Sequence, residues 1–473
     1  MVITLINLPA KRFRFTTLGV LPPLGLAYLA SVLEKEGHEV EIIDIPADNV
    51  SIKDFQARIG LKKRDIYGIS STLFGFQDVM KFSALIRKVD PKSLIVLGGL
   101  CTVLSPELIL KNIPEIDIVV QGEGEVTMKR ICGSLAAKKS LDGIGGVCFR
   151  HNGNYSYNKE IELISLDKLS FPAYHLLNIK HYYLHPPFGL YSPVISMETS
   201  RGCIFKCEFC CLSKNYRTRP VESVVEEMVY LKKTYGINEI YFVDHTFTIS
   251  QEYIRILCQR IMDKKLKVHW TCKTRVDCVG PETLKIMKAA GCYMISYGVE
   301  SGSEKILKNL NKGITTVDIE TAFGLTRKYG IRSIAYMIVG SPGENEDTIK
   351  ESLGLVRRIK PDYVLYNALA PDPASELYNR AVNEKIVSQD FFGRSVFLEP
   401  NVQWPMYATN EFSRSDIDFW VRKGTRDFYL DIFYIIRCLL RIRTLNEVKV
   451  VLRGAFSLAA DMICLKRKQV VDY

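Results

Sequence analysis

The stretch Ser200-Arg201-Gly202-Cys203-Ile204-Phe205-Lys206-Cys207-Glu208-Phe209-Cys210-Cys211 sets three thiols in a C-x3-C-x2-C array, directly after the apolar run Val194 to Glu198. Three core cysteines do not ordinarily gather in so polar a loop. Wrapped around one face of a cubane cluster, Cys203, Cys207 and Cys210 would hold three of its four irons. The fourth iron is then open to a substrate or cofactor, which separates this array from a four-cysteine electron carrier. Zinc is the main rival, but it usually takes a C-x2-C pair with a second pair farther off, and the C-x3-C gap has no such partner. Cys211, next to Cys210, would point elsewhere and reads as a packing residue or a spare thiol.

Working outward, the cysteine loop follows the first of six apolar runs: Val194 to Glu198, Glu239 to Val243, Val268 to Thr271, Met294 to Val299, Ser333 to Val339 and Tyr363 to Ala368. Helical patterns separate them, such as Val221 to Tyr235 ending at Gly236. Six βα units predict a partial (β/α)6 TIM-like barrel, whose catalytic groups gather at the strand carboxyl ends. Upstream, the runs Val2 to Asn7, Val40 to Ile45, Ile66 to Ser70, Ser93 to Leu97 and Ile116 to Val120 also alternate with helical patterns. The first of those helices carries Leu26, Leu29, Ala30 and Leu33 on one face and stops at Gly37. This predicts an α/β, doubly wound parallel sheet of Rossmann-like form. Its carboxyl ends carry Ser70 and Ser71, Gly98 and Gly99, and Gly122 with Glu123, small enough for a large ligand to approach the backbone, although glycines there can also simply make the turn. The expected organisation is a Rossmann-like domain over 1–140, a connecting segment over 141–190, the barrel over 191–395 and a helical C-terminal region over 396–473.

Length and composition agree with a multidomain enzyme: 473 residues, 47% hydrophobic and 24% charged. The apolar N-terminus lacks a preceding charged segment and is followed by Lys11, Arg12 and Arg14, the reverse of a secretory signal. The longest apolar candidate, Tyr429 to Ile442, is broken by Asp431, Arg437 and Arg441, so no membrane span is expected. Thirteen cysteines, most of them single on apolar stretches, indicate a reducing compartment and hence the cytoplasm. The net charge of +11 is uneven: Arg422 to Tyr473 holds eleven Lys or Arg against five Asp or Glu, a net +6. That tail reads as a solvated helical surface or as a contact for an anionic substrate or membrane face.

Taken together, these motifs resemble the radical S-adenosylmethionine superfamily, whose signature is C-x3-C-x-aromatic-C, here with Phe209 as the aromatic. The resemblance continues in Gly298-Val299-Glu300-Ser301-Gly302-Ser303. It implies that Glu300, with Gly298 and Ser301, contacts S-adenosylmethionine, and that Asp244 and Lys273-Thr274-Arg275 meet its polar parts. Gly340-Ser341-Pro342-Gly343-Glu344 would form a tight turn near the adenine end. The methionine moiety would chelate the open iron, and one electron would release a 5′-deoxyadenosyl radical. Pro22 to Ala30, Gly37-His38-Glu39-Val40 and Gly122-Glu123-Gly124-Glu125 are similar to the cobalamin-binding domain fused ahead of many such barrels. Cobalamin would then lie over the sheet's carboxyl edge, facing the barrel mouth, on contacts that include Ser70, Ser71, Gly98, Gly99, Gly122 and Glu123.

Two departures stand out. No Asp-x-His-x-x-Gly motif occurs, so the corrinoid would be held base-off without a histidine ligand, and Cys101 stands where relatives often carry histidine, either as a neutral replacement or altering the corrin contacts. The cofactors implied are a 4Fe-4S cluster, S-adenosylmethionine and cobalamin. The reaction implied is methyl transfer to an unactivated carbon, with radical ring closure on a lipid or tetrapyrrole as the alternative. A silent corrinoid sensor is a third reading, disfavoured by the joint presence of three cysteines and Glu300. The partners implied are a small-molecule, lipid or peptide substrate, an external one-electron donor such as flavodoxin or ferredoxin, no nucleic acid, and a peripheral membrane contact through the basic tail.

Overall fold

The computed structural model describes residues 1–9, 19–184, 188–388, 391–392, 396–398, 404–441 and 448, and the chain divides into two compact units. Of the described residues, the first unit takes those up to Tyr182 together with 391–392 and 396–398. The second takes Tyr183 to Ser388 and Trp404 onward.

The first unit is built on a seven-stranded sheet. Its strands are β1 (Val2–Asn7), β2 (Glu39–Asp44), β3 (Ile66–Ser70), β4 (Leu94–Gly98), β5 (Ile118–Val120), β6 (Val147–His151) and β7 (Asn154–Tyr157), in spatial order β2-β1-β3-β4-β5-β6-β7. The first five run parallel and the last two antiparallel. Parallel strands are covered on both faces by their crossover helices, so β1 is apolar almost throughout. Its one polar centre, Thr4, is satisfied by Glu41 at 2.6 Å and by buried Arg64 at 3.1 Å. The helix Leu24–Lys35 ends as expected at Gly37, whose φ of +79° reverses the chain into β2. Because the strand order reverses between β1 and β3, the crevice outside their carboxyl ends is where such a sheet takes a ligand.

Two boundaries differ from the expected ones. The connector predicted over 141–190 contributes β6 and β7 to the first sheet, and the first unit runs on to Tyr182, whose hydroxyl donates to Asp44 at 2.8 Å. The reason is the edge left by the short strand β5: an antiparallel hairpin turning through Asn152 and Gly153, both at positive φ, covers its free backbone groups. Residues 396–398, predicted within the C-terminal helical region, pack on the helix Phe76–Val89 of the first unit. There Phe397 lies 4.7 Å from Phe76, and its carbonyl accepts from Gln77.

The second unit carries six parallel strands in sequential order: β8 (Val194–Met197), β9 (Glu239–Phe242), β10 (His269–Thr274), β11 (Cys292–Glu300), β12 (Arg332–Val339) and β13 (Tyr363–Ala368). This is the order of a partial (β/α)6 barrel. Alternation along β10 separates its two faces. Trp270 meets Phe242 and Phe247 and donates to the Ala290 carbonyl, and Thr274 bonds Thr248, so even positions face the helices and Thr271 and Lys273 face the interior. The amino-terminal end of the interior is closed by Glu239, which accepts from the Leu190 and Tyr191 amides and from the Tyr293 hydroxyl. After β13 the helix Arg414–Tyr429 packs on that strand, Tyr429 exchanging hydrogen bonds with the Val364 backbone, and the helix Ile432–Arg441 follows. The basic tail beyond Arg441, apart from Val448, lies outside the described residues.

Candidate cluster and cofactor site

The cysteine loop leaves β8 through a bend that only glycine makes cheaply. Gly202 has φ +82°, and a Cβ there would lie 2.2 Å from the Asn215 carbonyl oxygen. The bend lets the Cys203 amide donate to the Ser213 carbonyl at 2.9 Å, and a turn follows in which the Cys210 amide donates to Cys207. Cys203 is buried, with Thr246 Oγ1 3.7 Å from its sulfur, while Cys207 and Cys210 are half-buried. The loop is pinned from the β11 side, where Leu310 accepts from the Glu208 amide and Asn311 donates to the Lys206 carbonyl.

Two cations stand beside the thiols. Arg275 Nη1 lies 3.7 Å from Cys207 Sγ, and its guanidinium stacks 3.8 Å over the Phe205 ring. Lys312 Nζ lies 5.8 Å over the Phe209 ring. Burial raises the Cys207 pKa, and Lys312 and Arg275 oppose that rise, favouring the thiolate an iron requires. Among the described residues no three His, Cys, Asp or Glu side chains converge on a single-ion position. A cubane spreads its ligands over three irons and needs no such convergence. Cys211 stays apart from these cations: burial and Asp372 push its pKa up to about 12.

Glu300 ends β11 in an unusual conformation. The register against β12 slips between Gly298 and Glu300, and Glu300 has φ +66°, a left-handed backbone that costs a non-glycine residue about 1–2 kcal/mol. A bulge of this kind re-aims a side chain. Here the carboxylate turns back over Gly298 to meet Lys312 Nζ at 2.6 Å, with both side chains almost fully buried. A Cβ on Gly298 would lie 2.5 Å from Glu300 Oε1 and 2.8 Å from Lys312 Nζ, so the glycine creates the space the pair occupies. Lys312 was not legible in the sequence. It sits on a loop twelve residues on, and only the fold brings it to Glu300 and Phe209.

The other predicted residues hold the scaffold. Asp244 is buried and accepts from the Thr199 amide and from the Thr199 and Ser200 hydroxyls, tying the end of β9 to the start of the cysteine loop. Burial raises its pKa, and those hydrogen bonds pull the other way. Ser301 is engaged with Ser352 and the Ser303 amide. Arg275 also pairs with Asp277 and donates to the Lys312 carbonyl at 2.7 Å, linking the cysteine loop to the Glu300 pair. In the turn after β12, the Gly340 and Ser341 amides donate to Glu344 Oε2, while Glu344 Oε1 and Ser341 Oγ are buried without a partner. Unsatisfied buried oxygens in a turn at the strand ends fit a site that a polar ligand completes.

At the carboxyl edge of the first sheet, Gly99 has φ +91°, and a Cβ would lie 2.8 Å from Ser70 Oγ and from the Ser71 carbonyl. Ser71 is buried and ties β3 to β4, its amide donating to Gly98 and its carbonyl accepting from the Cys101 amide. Thr72 Oγ1 is buried without a partner, and Leu100 is 65% exposed. An exposed leucine and an orphaned hydroxyl beside this tight glycine turn fit a broad, partly apolar ligand such as a corrin. A Cβ on Gly98 would meet the Val120 carbonyl oxygen at 3.9 Å, an ordinary contact, whereas Gly122 is covered by Ile161 and Glu123 stands at the start of the helix Gly124–Ala136. The Cys101 thiol is wholly buried, lies 3.5 Å from the Gly98 carbonyl and is pushed up to about 12 by burial.

Residues 197–356 match the family model of the radical SAM superfamily, and residues 13–131 match that of the B12 binding domain. An uncharacterized methyltransferase of Pyrococcus horikoshii is 31% identical over 415 residues, covering 86% of this chain and 88% of its own. The chain belongs to the cobalamin-binding group of the radical S-adenosylmethionine superfamily. Within reach of this radical SAM enzyme are also the cytidylyl-2-hydroxyethylphosphonate methyltransferase of Streptomyces wedmorensis, 28% identical over 82% of this chain and 83% of its own. The anaerobic magnesium-protoporphyrin IX monomethyl ester cyclase of Cereibacter sphaeroides is 26% identical over 87% and 68%. The fold matches that of the cobalamin-dependent radical enzyme OxsB, solved with aqua-cobalamin and S-adenosylmethionine bound, with a TM-score of 0.75, 19% identity and coverage of 98% of this chain and 72% of that one. The cofactors of this radical SAM enzyme are a 4Fe-4S cluster, S-adenosylmethionine and cobalamin. It acts on a small molecule and draws on a reductant.

Proposed function

We propose that this enzyme transfers a methyl group to an unactivated carbon, using the cluster bound by Cys203, Cys207 and Cys210, S-adenosylmethionine held at Glu300, and cobalamin on the first sheet. The observation that carries the reading is the retention of both halves in one chain: the three-thiol loop beside the Gly298–Glu300 bulge, and the Ser70–Cys101 turn at the carboxyl edge of the first sheet. When bound, the cluster supplies the electron that cleaves the sulfonium, and cobalamin carries the methyl group. The chain's own residues set the conditions. Arg275 and Lys312 stabilise negative charge at the thiolates. Glu300 offers acceptor oxygens to ligand hydroxyls or amines, and Gly298 leaves room for them. Phe205 and Phe209 shield the loop from water, as radical chemistry requires.

Support for methyl transfer comes from the Pyrococcus and Streptomyces relatives, both described as methyltransferases. A second reading, radical ring closure, is favoured by the similarity to the Cereibacter cyclase. The finer partners follow from the same reading: a flavodoxin- or ferredoxin-like donor, a cytoplasmic setting in keeping with the free cysteines, and a peripheral membrane contact. For the last, the support is the helix Ile432–Arg441, which exposes Ile432, Phe433, Ile436, Leu439 and Leu440 ahead of the basic tail. No helix among the described residues is long and apolar enough to cross a membrane.

The test is anaerobic reconstitution of wild type and of the Cys203→Ala/Cys207→Ala/Cys210→Ala variant, followed by reduction with methyl-deuterated S-adenosylmethionine and hydroxocobalamin. The expected result is 5′-deoxyadenosine and deuteromethyl cobalamin from the wild type alone. Zinc binding with no iron cluster overturns the radical assignment, whereas deoxyadenosine without label on cobalt overturns methyl transfer and favours ring closure.

A further inference from the structure

The outer face of the cysteine loop has an aliphatic side chain at its centre and ammonium groups around it. Ile204 stands between Cys203 and Phe205 and is 50% exposed, although burying such a side chain fully is worth about 1.5–3 kcal/mol. Lys206 and Lys214, from the same loop, are exposed, and Lys214 folds back to donate to the Phe205 carbonyl at 2.7 Å. The helix Glu304–Asn309 stands beside them and carries Lys305 and Lys308, three residues apart and both exposed. Its end is fastened to the loop: Asn311 donates to the Lys206 carbonyl at 2.8 Å, and the Leu310 carbonyl accepts from the Glu208 amide at 3.0 Å. Among the described residues these four lysines take part in no ion pair. The acids close by are engaged elsewhere. Glu208 pairs with Arg380 at 3.5 Å, and Glu304 accepts from the Thr316 amide and hydroxyl, each at 2.7 Å.

An apolar centre with a charged rim is how a small, transient protein contact is built: the centre packs, and the rim steers the partner and sets its orientation. The sign of the rim selects the partner, and the half-buried Cys207 and Cys210 place the thiols just beneath it. We propose that this face of the second unit docks an acidic protein that carries one electron. Its carboxylates meet Lys206, Lys214, Lys305 and Lys308, and its redox group comes up against Ile204. In the step the reduced carrier loses one electron and the cluster gains one; no covalent bond forms or breaks between the two proteins. The proposal rests on the reading of Cys203, Cys207 and Cys210 as cluster ligands, and it adds the surface through which the reductant is received.

The test runs the electron outward, from cluster to carrier, because one encounter complex serves both directions. The full chain, with its cluster rebuilt and then reduced by photoreduced deazaflavin, is mixed with oxidised flavodoxin as the acidic probe. Stopped-flow absorbance follows the flavodoxin semiquinone, one for each reduced cluster. Steering by a charged surface is worth roughly 10–10³ in association rate, so Lys214→Glu/Lys308→Glu should slow the second-order rate at least about tenfold at low salt. Raising the salt from about 0.01 M to about 1 M cuts the Debye length from about 30 Å to about 3 Å and should remove most of that difference. Duroquinone, a small neutral oxidant, should take the electron equally fast from both proteins. Equal flavodoxin rates in wild type and variant overturn the proposal, and a parallel loss with duroquinone assigns the two lysines to the integrity of the cluster and overturns it too. The unaltered protein gives a second measurement that no folding defect can obscure. Carbodiimide coupling to flavodoxin, with the junctions read by mass spectrometry, should concentrate on Lys206, Lys214, Lys305 and Lys308; junctions without excess at these four count against the docking face and overturn it. Neither readout uses turnover, so methyl transfer can fail while the docking face stands, and failure to build any iron cluster overturns the radical assignment on which both rest.

Discussion

Replacing Lys312 by methionine tests how the Glu300 bulge is held. At 2.6 Å and an effective dielectric of about 20, the attraction between the two charges is about 6 kcal/mol, and desolvating both ions returns most of it. The intact pair therefore adds little net stability, but removing one member leaves a buried carboxylate uncompensated, at a cost of about 3–5 kcal/mol. Lys312→Met is expected to lose that amount, whereas Glu300→Gln/Lys312→Met should return to within about 2 kcal/mol of wild type, because neither side chain then carries a buried charge. Urea unfolding followed by tryptophan fluorescence reads the right part of the molecule: Trp270, Trp404 and Trp420, the chain's three tryptophans, all lie in the second unit. The measurement is made without S-adenosylmethionine, so that ligand does not mask the pair. A loss below about 1 kcal/mol for Lys312→Met, or a double variant as unstable as the two single losses added together, would refute the reasoning.

Gly202→Ala forces a Cβ to within 2.2 Å of a backbone carbonyl at φ +82° and should abolish most iron incorporation, measured as bound iron per chain; Gly298→Ala should instead keep its iron and lose S-adenosylmethionine affinity. Burial raises Glu239 from the ordinary glutamate value of 4.5 to about 7, so the folded state binds its proton more tightly than the unfolded state. Its contribution is complete below about pH 4.5 and lost as pH rises through about 7, roughly 3 kcal/mol in all; Glu239→Gln should flatten the stability profile across that window in the same fluorescence assay. Phe433→Glu/Leu440→Glu exchanges two side chains that are 77% and 80% exposed. At about 1.5–3 kcal/mol for each apolar group withdrawn from water, it should lower co-sedimentation with anionic phosphatidylglycerol vesicles at least about a hundredfold, and equal binding by the wild type and the variant would remove the membrane contact.

Much of the fold was legible in the sequence, and local chemistry there marks the candidate site. The C-x3-C-x2-C spacing can serve few purposes whatever surrounds it, and apolar runs alternating with helical patterns specify parallel βα units because parallel strands are buried on both faces. Each predicted strand appears within a few residues of its expected place, and Gly37 ends its helix where the sequence indicates. Tertiary structure alone decided which charges meet. Lys312 reaches Glu300 only because β11 slips register against β12 and the loop after Asn309 folds back beneath it. Asp244 meets Thr199 and Ser200 because the end of β9 lies against the start of the cysteine loop. The hairpin β6–β7 joined the first sheet because the short strand β5 left an edge to cover, a need invisible along the chain. Spacing, turns and periodicity are properties of neighbours in sequence. Charge compensation, strand register and edge protection depend on neighbours in space, and those exist only once the chain has folded.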